Sequence, residues 1–184
     1  MSNTELLKAR NESFAASFSD GDLAPLPRLS MVIVACIDAR VNPTKVFGLE
    51  LGDAVVMRNN GGRVTSAIVD EITALSFLVA RVTGQDSPAF NITLMQHTKC
   101  GAQQFAAPDF QAHIKSQTGI DVSQSAITDP ESDLMVDVDR LCGAENLHGS
   151  LTVSAMLYDI ETGLVSEVMG PQSLANLRSE RADT

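Results

Sequence analysis

Met31 to Cys36 reads MVIVAC, six apolar residues in succession, and this run constrains the fold more than any other segment. It is too short for a buried helix, rich in β-branched residues, and does not alternate with polar ones. It is therefore expected as a strand buried on both faces, the habit of parallel sheets. Asp53 to Met57 is a second apolar run, Asn91 to Met95 (NITLM) a third and Leu151 to Tyr158 a fourth. Glu161-Thr162-Gly163 then turns the chain into a fifth, Leu164 to Met169. Helical signals fall between them. Asn42-Pro43 reads as an N-cap followed by a first-turn proline, opening a short helix through Phe47. Ser66 to Val82 carries Ile68, Ile72, Leu75 and Val79 near helical spacing, and Gly84 stops it. Further helical stretches are expected around Gln103 to Gln117 and over Asp133 to Leu141. This alternation predicts an α/β fold, a mostly parallel central sheet of four to five strands flanked by helices.

The 184 residues suit one domain with its own core. Three segments are expected: an N-terminal helical arm and linker over 1–28, the α/β domain over 29–170, and a polar C-terminal tail over 171–184 that covers the surface or moves. In the arm, Glu5 to Phe18 is expected as an amphipathic helix with Leu6, Leu7, Phe14 and Phe18 on its apolar side. The breaker-rich stretch Asp20 to Pro27 sets it apart, so it packs on another element or on another subunit. Aromatic residues are 4% and Trp is absent, which leaves aliphatic side chains to fill the core. A formal net charge of -10 repels phosphate backbones and argues against a nucleic-acid partner. No apolar run reaches the length that crosses a bilayer, and residues 1–20 lack the apolar stretch of a secretory signal. A cytoplasmic location and no membrane partner are expected. The three cysteines, Cys36, Cys100 and Cys142, are odd in number and argue against a disulfide framework.

Position carries the chemistry. Cys36, Arg58 and His97 each lie at or just past the C-terminal end of a predicted strand, the edge where open α/β sheets collect ligands. Zinc prefers thiolates and neutral imidazoles in tetrahedral array, and Cys36, His97 and Cys100 supply two of one and one of the other. The three-residue step from His97 to Cys100 lets one turn offer two ligands, and three protein ligands leave a fourth position for water. Two thiolates neutralise the ion and soften it as a Lewis acid, yet zinc can still bring a bound water's pKa to about 7. Asp38 and Arg40 follow closely on Cys36. An Arg–carboxylate pair orients the carboxylate and keeps it ionised, so that Asp38 accepts a hydrogen bond from the activated water. Singly, each feature is ambiguous: a free cysteine is commonly a small core residue, and an Asp–Arg pair is commonly structural. Together, at matching strand ends, they point to a catalytic zinc site. Cys142 and His148 have no second pair to complete a zinc finger, and His113 is expected to face solvent. Asn60-Gly61-Gly62 is expected as a tight turn, and neither G-x-G-x-x-G nor a P-loop occurs.

Cys36-Ile37-Asp38-Ala39-Arg40, followed by His97-Thr98-Lys99-Cys100-Gly101, resembles the paired signature of the β-class carbonic anhydrases. Arg58-Asn59-Asn60-Gly61-Gly62 is similar to that family's second-strand exit. The likeness runs from about Met31 to Gly101 and resumes over Leu151 to Val168. The resemblance implies zinc ligation by Cys36, His97 and Cys100, a catalytic dyad of Asp38 and Arg40, and reversible hydration of carbon dioxide to bicarbonate by zinc-bound hydroxide. It also implies a homodimer or dimer of dimers, with the N-terminal helix lying over the neighbouring subunit. Ala39 stands where the family's first motif usually has serine, and the chain is short. Both features resemble a compact branch that includes carbonyl sulfide hydrolases, and similar proteins act on carbon disulfide. A carbonyl sulfide hydrolase and a non-catalytic zinc-stabilised binding module are the alternatives. Some family members close by placing the Asp on zinc through a bicarbonate site that includes a Trp, and this chain has no Trp.

Overall fold

The computed structural model describes residues 1–182. Five strands form one sheet: β1 (Met31–Cys36), β2 (Val55–Asn59), β3 (Asn91–His97), β4 (Thr152–Tyr158) and β5 (Val165–Ser173). Their spatial order is β2-β1-β3-β4-β5. The first four pair in parallel, and β5 returns antiparallel against β4. The expected α/β architecture is present, with each strand displaced from its sequence bounds by no more than a few residues. The MVIVAC strand is buried on both faces from Val32 to Cys36, which is why it shows no alternation.

Among the described residues six α-helices accompany the sheet: α1 (Asn3–Ala15), α2 (Pro43–Val46), α3 (Ser66–Thr83), α4 (Pro108–Thr118), α5 (Pro130–Gly143) and α6 (Leu174–Ala182). Local chemistry sets their ends. Asn42 caps α2 through its side chain, Thr65 caps α3, and Gly84 ends α3 in the left-handed region at φ 70°. Asp129 caps α5, with Pro130 in the first turn. The principal core lies between one face of the sheet and α3, α5 and α6, with Val32, Val34, Ile72, Ile92, Leu94, Leu134 and Leu141 at its centre. A smaller cluster of Ile33, Ala35, Val41 and Met95 occupies the opposite face, where Phe47 and Leu49 pack on it.

Two segments differ from expectation. The helical stretch near Gln103 is broken: Gly101–Ala106 is a 3-10 segment, and α4 begins only at Pro108, whose ring suits a helix start and not an interior. The expected polar tail is structured as far as it is described. β5 runs on through Pro171 to Ser173, which an edge strand tolerates, and α6 follows. Leu174 and Leu177 enter the principal core. Arg178 donates to the carbonyl oxygens of Cys142, Ala144 and Leu147, satisfying groups at the end of α5. Two leucines three residues apart are too few to signal a helix among polar neighbours. Asp183 and Thr184 lie outside the described residues.

Helix α1 opens with a capping box between Ser2 and Glu5, yet none of its residues is buried. Leu7, Phe14 and Phe18 stay exposed at 65%, 52% and 48%. Phe18 lies beyond the helix end, where its ring meets that of Phe14. Among the described residues no helix is long and apolar enough to cross a membrane.

Candidate metal centre

The strand order creates the site. From β1 the chain goes outward to β2, then crosses back to lay β3 on the other side of β1. Ligands in open α/β sheets gather at such a reversal, beyond the carboxyl ends of the strands. The last residue of β1 is Cys36 and the last of β3 is His97. A tight turn carries the chain from His97 to Cys100 through Lys99, which takes φ 54°, a left-handed conformation uncommon outside glycine. The two sulfurs lie 3.8 Å apart. With His97 they form a buried group whose donor atoms all fall within 4.8 Å of one another.

The histidine's tautomer follows from its contacts. Nδ1 lies 2.9 Å from the carbonyl oxygen of Thr98, which can only accept, so Nδ1 carries the proton. Nε2 is left with its lone pair, buried and without a hydrogen-bond partner. A buried polar atom in that state is costly unless something else fills the role. A divalent cation fits. Two sulfurs each about 2.3 Å from a common tetrahedral ion stand about 3.8 Å apart, which matches the separation found. Without the ion, the thiols diverge. Cys36 is pulled well below the usual thiol pKa, foremost by the hydrogen bond from Cys100, then by the neighbouring His97 ring and the backbone amide of Asp38. Cys100 is pushed up, foremost because it donates its proton in the hydrogen bond to Cys36 and then by burial, with repulsion from the Cys36 anion adding to both.

Asp38 and Arg40 form the pair expected of them. Arg40 Nε donates to Oδ1 at 2.9 Å and Nη2 to Oδ2 at 2.6 Å, a two-pronged grip that holds the carboxyl well below the usual carboxylate range. Arg40 Nη2 also reaches the carbonyl oxygen of Lys99 at 3.1 Å, tying the dyad to the turn between His97 and Cys100. Beside the dyad, an open cleft of about 480 Å³ is lined by Ala39, Arg40, Asn42, Lys45, Tyr158 and Gly163, among others.

Three supporting residues were not assigned roles from sequence. Arg58 donates to the carbonyl oxygens of Cys36, Asp38 and Val41, cinching the loop that bears Cys36 and the Asp38–Arg40 pair. Its place at a strand end was the available signal. Gln96 is buried beside the centre and donates to the carbonyl of Gly62. Arg63 is buried among carboxylates, and no local pattern marks it. The weaker candidates do not gather. His113 is exposed, and Cys142 sits in the principal core. His148 is engaged with Ser87 and Ser150.

Gly62 is indispensable for a steric reason. At φ +62° an added Cβ would lie 2.6 Å from the backbone nitrogen of Cys36 and 2.7 Å from the carbonyl carbon of Ala35. Gly62→Ala is expected to cost about 1–3 kcal/mol or more, measured by chemical denaturation, because both the backbone conformation and the close approach oppose it.

A reversal in a parallel sheet that presents two cysteines and a histidine defines a class, an α/β protein with a metal-type centre. Comparison with known proteins narrows it. The chain belongs to the carbonic anhydrase family, whose profile matches residues 31–142. It is 29% identical over 170 residues to beta-carbonic anhydrase 1 of Mycobacterium tuberculosis, covering 91% of this chain and 99% of that one. Among solved structures, carbonic anhydrase from Streptococcus mutans superposes with a TM-score of 0.74 at 28% identity, covering 91% of this chain and 98% of its own. Carbonic anhydrase from Glaciozyma antarctica gives 0.68 at 27% identity, with 91% and 99% covered.

Proposed function

We propose that Cys36, His97 and Cys100 hold one zinc ion per chain, and that the protein hydrates carbon dioxide reversibly to bicarbonate and a proton. The observation that carries this reading is the partnerless, buried Nε2 of His97 set among two cysteine sulfurs 3.8 Å apart. Zinc supplies a Lewis-acidic position at which water becomes a nucleophile near neutral pH. The chain's own residues do the rest. The Thr98 carbonyl holds His97 in the ligating tautomer. Asp38 stays ionised throughout the working pH range and accepts a hydrogen bond from the attacking water, aiming its lone pair at the carbon. Arg40 fixes Asp38 in place and supplies positive charge where the product anion forms. The released proton leaves through the open cleft to buffer.

The same arrangement can attack carbonyl sulfide, and Ala39, which puts a methyl group and no hydroxyl on the wall beside the dyad, leaves room for the larger sulfur atom of that substrate. Both activities are measured on zinc-loaded protein side by side, as proton release from carbon dioxide and hydrogen sulfide release from carbonyl sulfide. Carbon dioxide hydration well above buffer supports the proposal. Turnover of carbonyl sulfide alone would reassign the substrate. Inactivity toward both, with zinc bound, would leave a zinc-stabilised binding module.

The proposed setting is cytoplasmic, in keeping with three unpaired cysteines, two of which must stay reduced to bind metal. The proposed assembly is a homodimer or a dimer of dimers. Helix α1 has no apolar contact that buries it within its own chain. The sheet face bearing Met31, Ile33, Phe47 and Leu49 carries an apolar groove of about 150 Å³. Seating the leucines and phenylalanines of one arm over the other chain removes both exposed surfaces from water. Removal of residues 1–20 is expected to convert the assembly to monomer at micromolar concentration, as read by sedimentation velocity.

A further inference from the structure

We propose that Arg63 is a positioning residue for the metal centre: its buried ion-pair network clamps the Gly61–Gly62 turn onto Cys36 and thereby governs how firmly the ion is held. The proposal rests on the zinc reading above. The Arg63 side chain is only 3% exposed. Its Nε donates to Asp137 Oδ2 at 2.7 Å, and its Nη1 donates to Asp133 Oδ1 at 2.9 Å and to the carbonyl of Ala126. Asp133 in turn accepts from the amides of Thr128 and Asp129, and Asp137 from Arg140. Two arginines and two aspartates thus balance in charge.

Such a network is an expensive way to gain stability. Two charges taken from water lose solvation that their attraction only partly returns, and apolar residues of like volume often serve as well. What the network supplies is geometry. It joins three segments far apart in sequence: the turn after β2, the loop over 126–129 and the first turns of α5. The first two abut the centre: Gly62 meets Cys36, and Ile127 packs with Cys36, Cys100 and Ala102. Arg63's own backbone is clipped to Asn59 by reciprocal bonds of 2.8 and 2.9 Å, so its side chain pulls on the whole turn. Within that turn Gly62 lies against the backbone of Cys36, and Gly61 is wedged between the carbonyl of Ser125 and Ala102. Ala102, two residues past Cys100, accepts from the amide of Ile127 at 3.3 Å. Releasing Arg63 therefore frees the packing behind both cysteine ligands, whose orientation depends on such outer contacts.

The test uses the full zinc-loaded chain with Arg63→Gln, Arg63→Lys and, as a control, Leu177→Ala, which opens the core at α6 away from the centre. Zinc transfer to a chromophoric chelator is timed, thermal midpoints are recorded, and the thiolate-to-metal absorption of cobalt-substituted protein reports ligand geometry. Arg63→Gln is expected to release zinc about 10- to 100-fold faster and to shift the cobalt bands. Arg63→Lys keeps the charge without the planar fork and should fall between it and the parent. Leu177→Ala should lower the midpoint while leaving zinc release and the cobalt spectrum as in the parent. If Arg63→Gln does not fold, Arg63→Lys decides: faster release supports the proposal and an unchanged rate overturns it. Release from the arginine variants no faster than from Leu177→Ala also overturns it, as a merely structural role would give. A parent chain that takes up no zinc would instead overturn the reading of the centre itself.

Discussion

Cys36→Ala protein is expected to emerge from purification almost free of metal and without measurable hydration activity. In the proposed centre the cysteine supplies one of three donors, and the other two reside on a single turn, His97 to Cys100. Removing it leaves a two-point attachment and a thiol-sized void where the ion's charge was balanced. Structural zinc sites bind with apparent free energies on the order of 10–16 kcal/mol, and the loss of a thiolate takes away a large share of that. Metal analysis should fall from about one equivalent to a small fraction, with hydration falling in step. The fold should persist, because Cys36 lies at the end of β1 and not in the principal core. Stoichiometric zinc and normal turnover in this variant would remove Cys36 from the site.

Asp38→Asn should do the opposite with respect to metal. Zinc stays at about one equivalent, since the carboxylate is not among the three donors that cluster. Turnover falls by about 10²- to 10⁴-fold, the range for loss of a positioned proton acceptor. The amide has nearly the shape of the carboxylate, but it presents one acceptor oxygen and no charge to the arginine fork. Arg40→Ala should approach the same loss by another route, because an unanchored Asp38 keeps its charge and loses its aim. Combining the two changes should cost little beyond the worse single variant, as for groups that act as one unit. The parent's activity should not fall through loss of Asp38 ionisation as pH drops from neutral to mildly acid values. Arg40 depresses the carboxyl's folded pKa, so protonation begins only below its unfolded value. Parent kinetics unchanged by Asp38→Asn would take the dyad out of the mechanism.

The chain's organisation was legible to different depths in different places. The strands were readable because a parallel sheet buries both faces of each strand and so demands unbroken apolar runs such as MVIVAC and NITLM. The helix starts at Asn42-Pro43 and the stop at Gly84 were readable because capping is local chemistry. Helix α6 was not, since Leu174 and Leu177 owe their burial to α5 and the sheet. The buried aspartates of α5 were equally hidden. Asp133 and Asp137 look like surface residues on an amphipathic helix until Arg63, seventy or more positions away, is seen to meet them.

By itself the sequence determined the order of strands and helices and, through the strand ends, the candidates Cys36, His97 and Cys100. Alternation and spacing depend only on near neighbours along the chain, so they survive without coordinates. The tertiary structure alone decided that the chain reverses direction across the sheet between β1 and β3, which brings two sulfurs and an imidazole to within reach of one ion. It alone decided that Arg58 turns to backbone carbonyls and Arg63 into a buried carboxylate pair, whereas Arg40, two residues from Asp38, was readable as its partner. A guanidinium finds a distant partner through long-range packing, and nothing in a one-dimensional pattern says which groups Arg58 and Arg63 will meet.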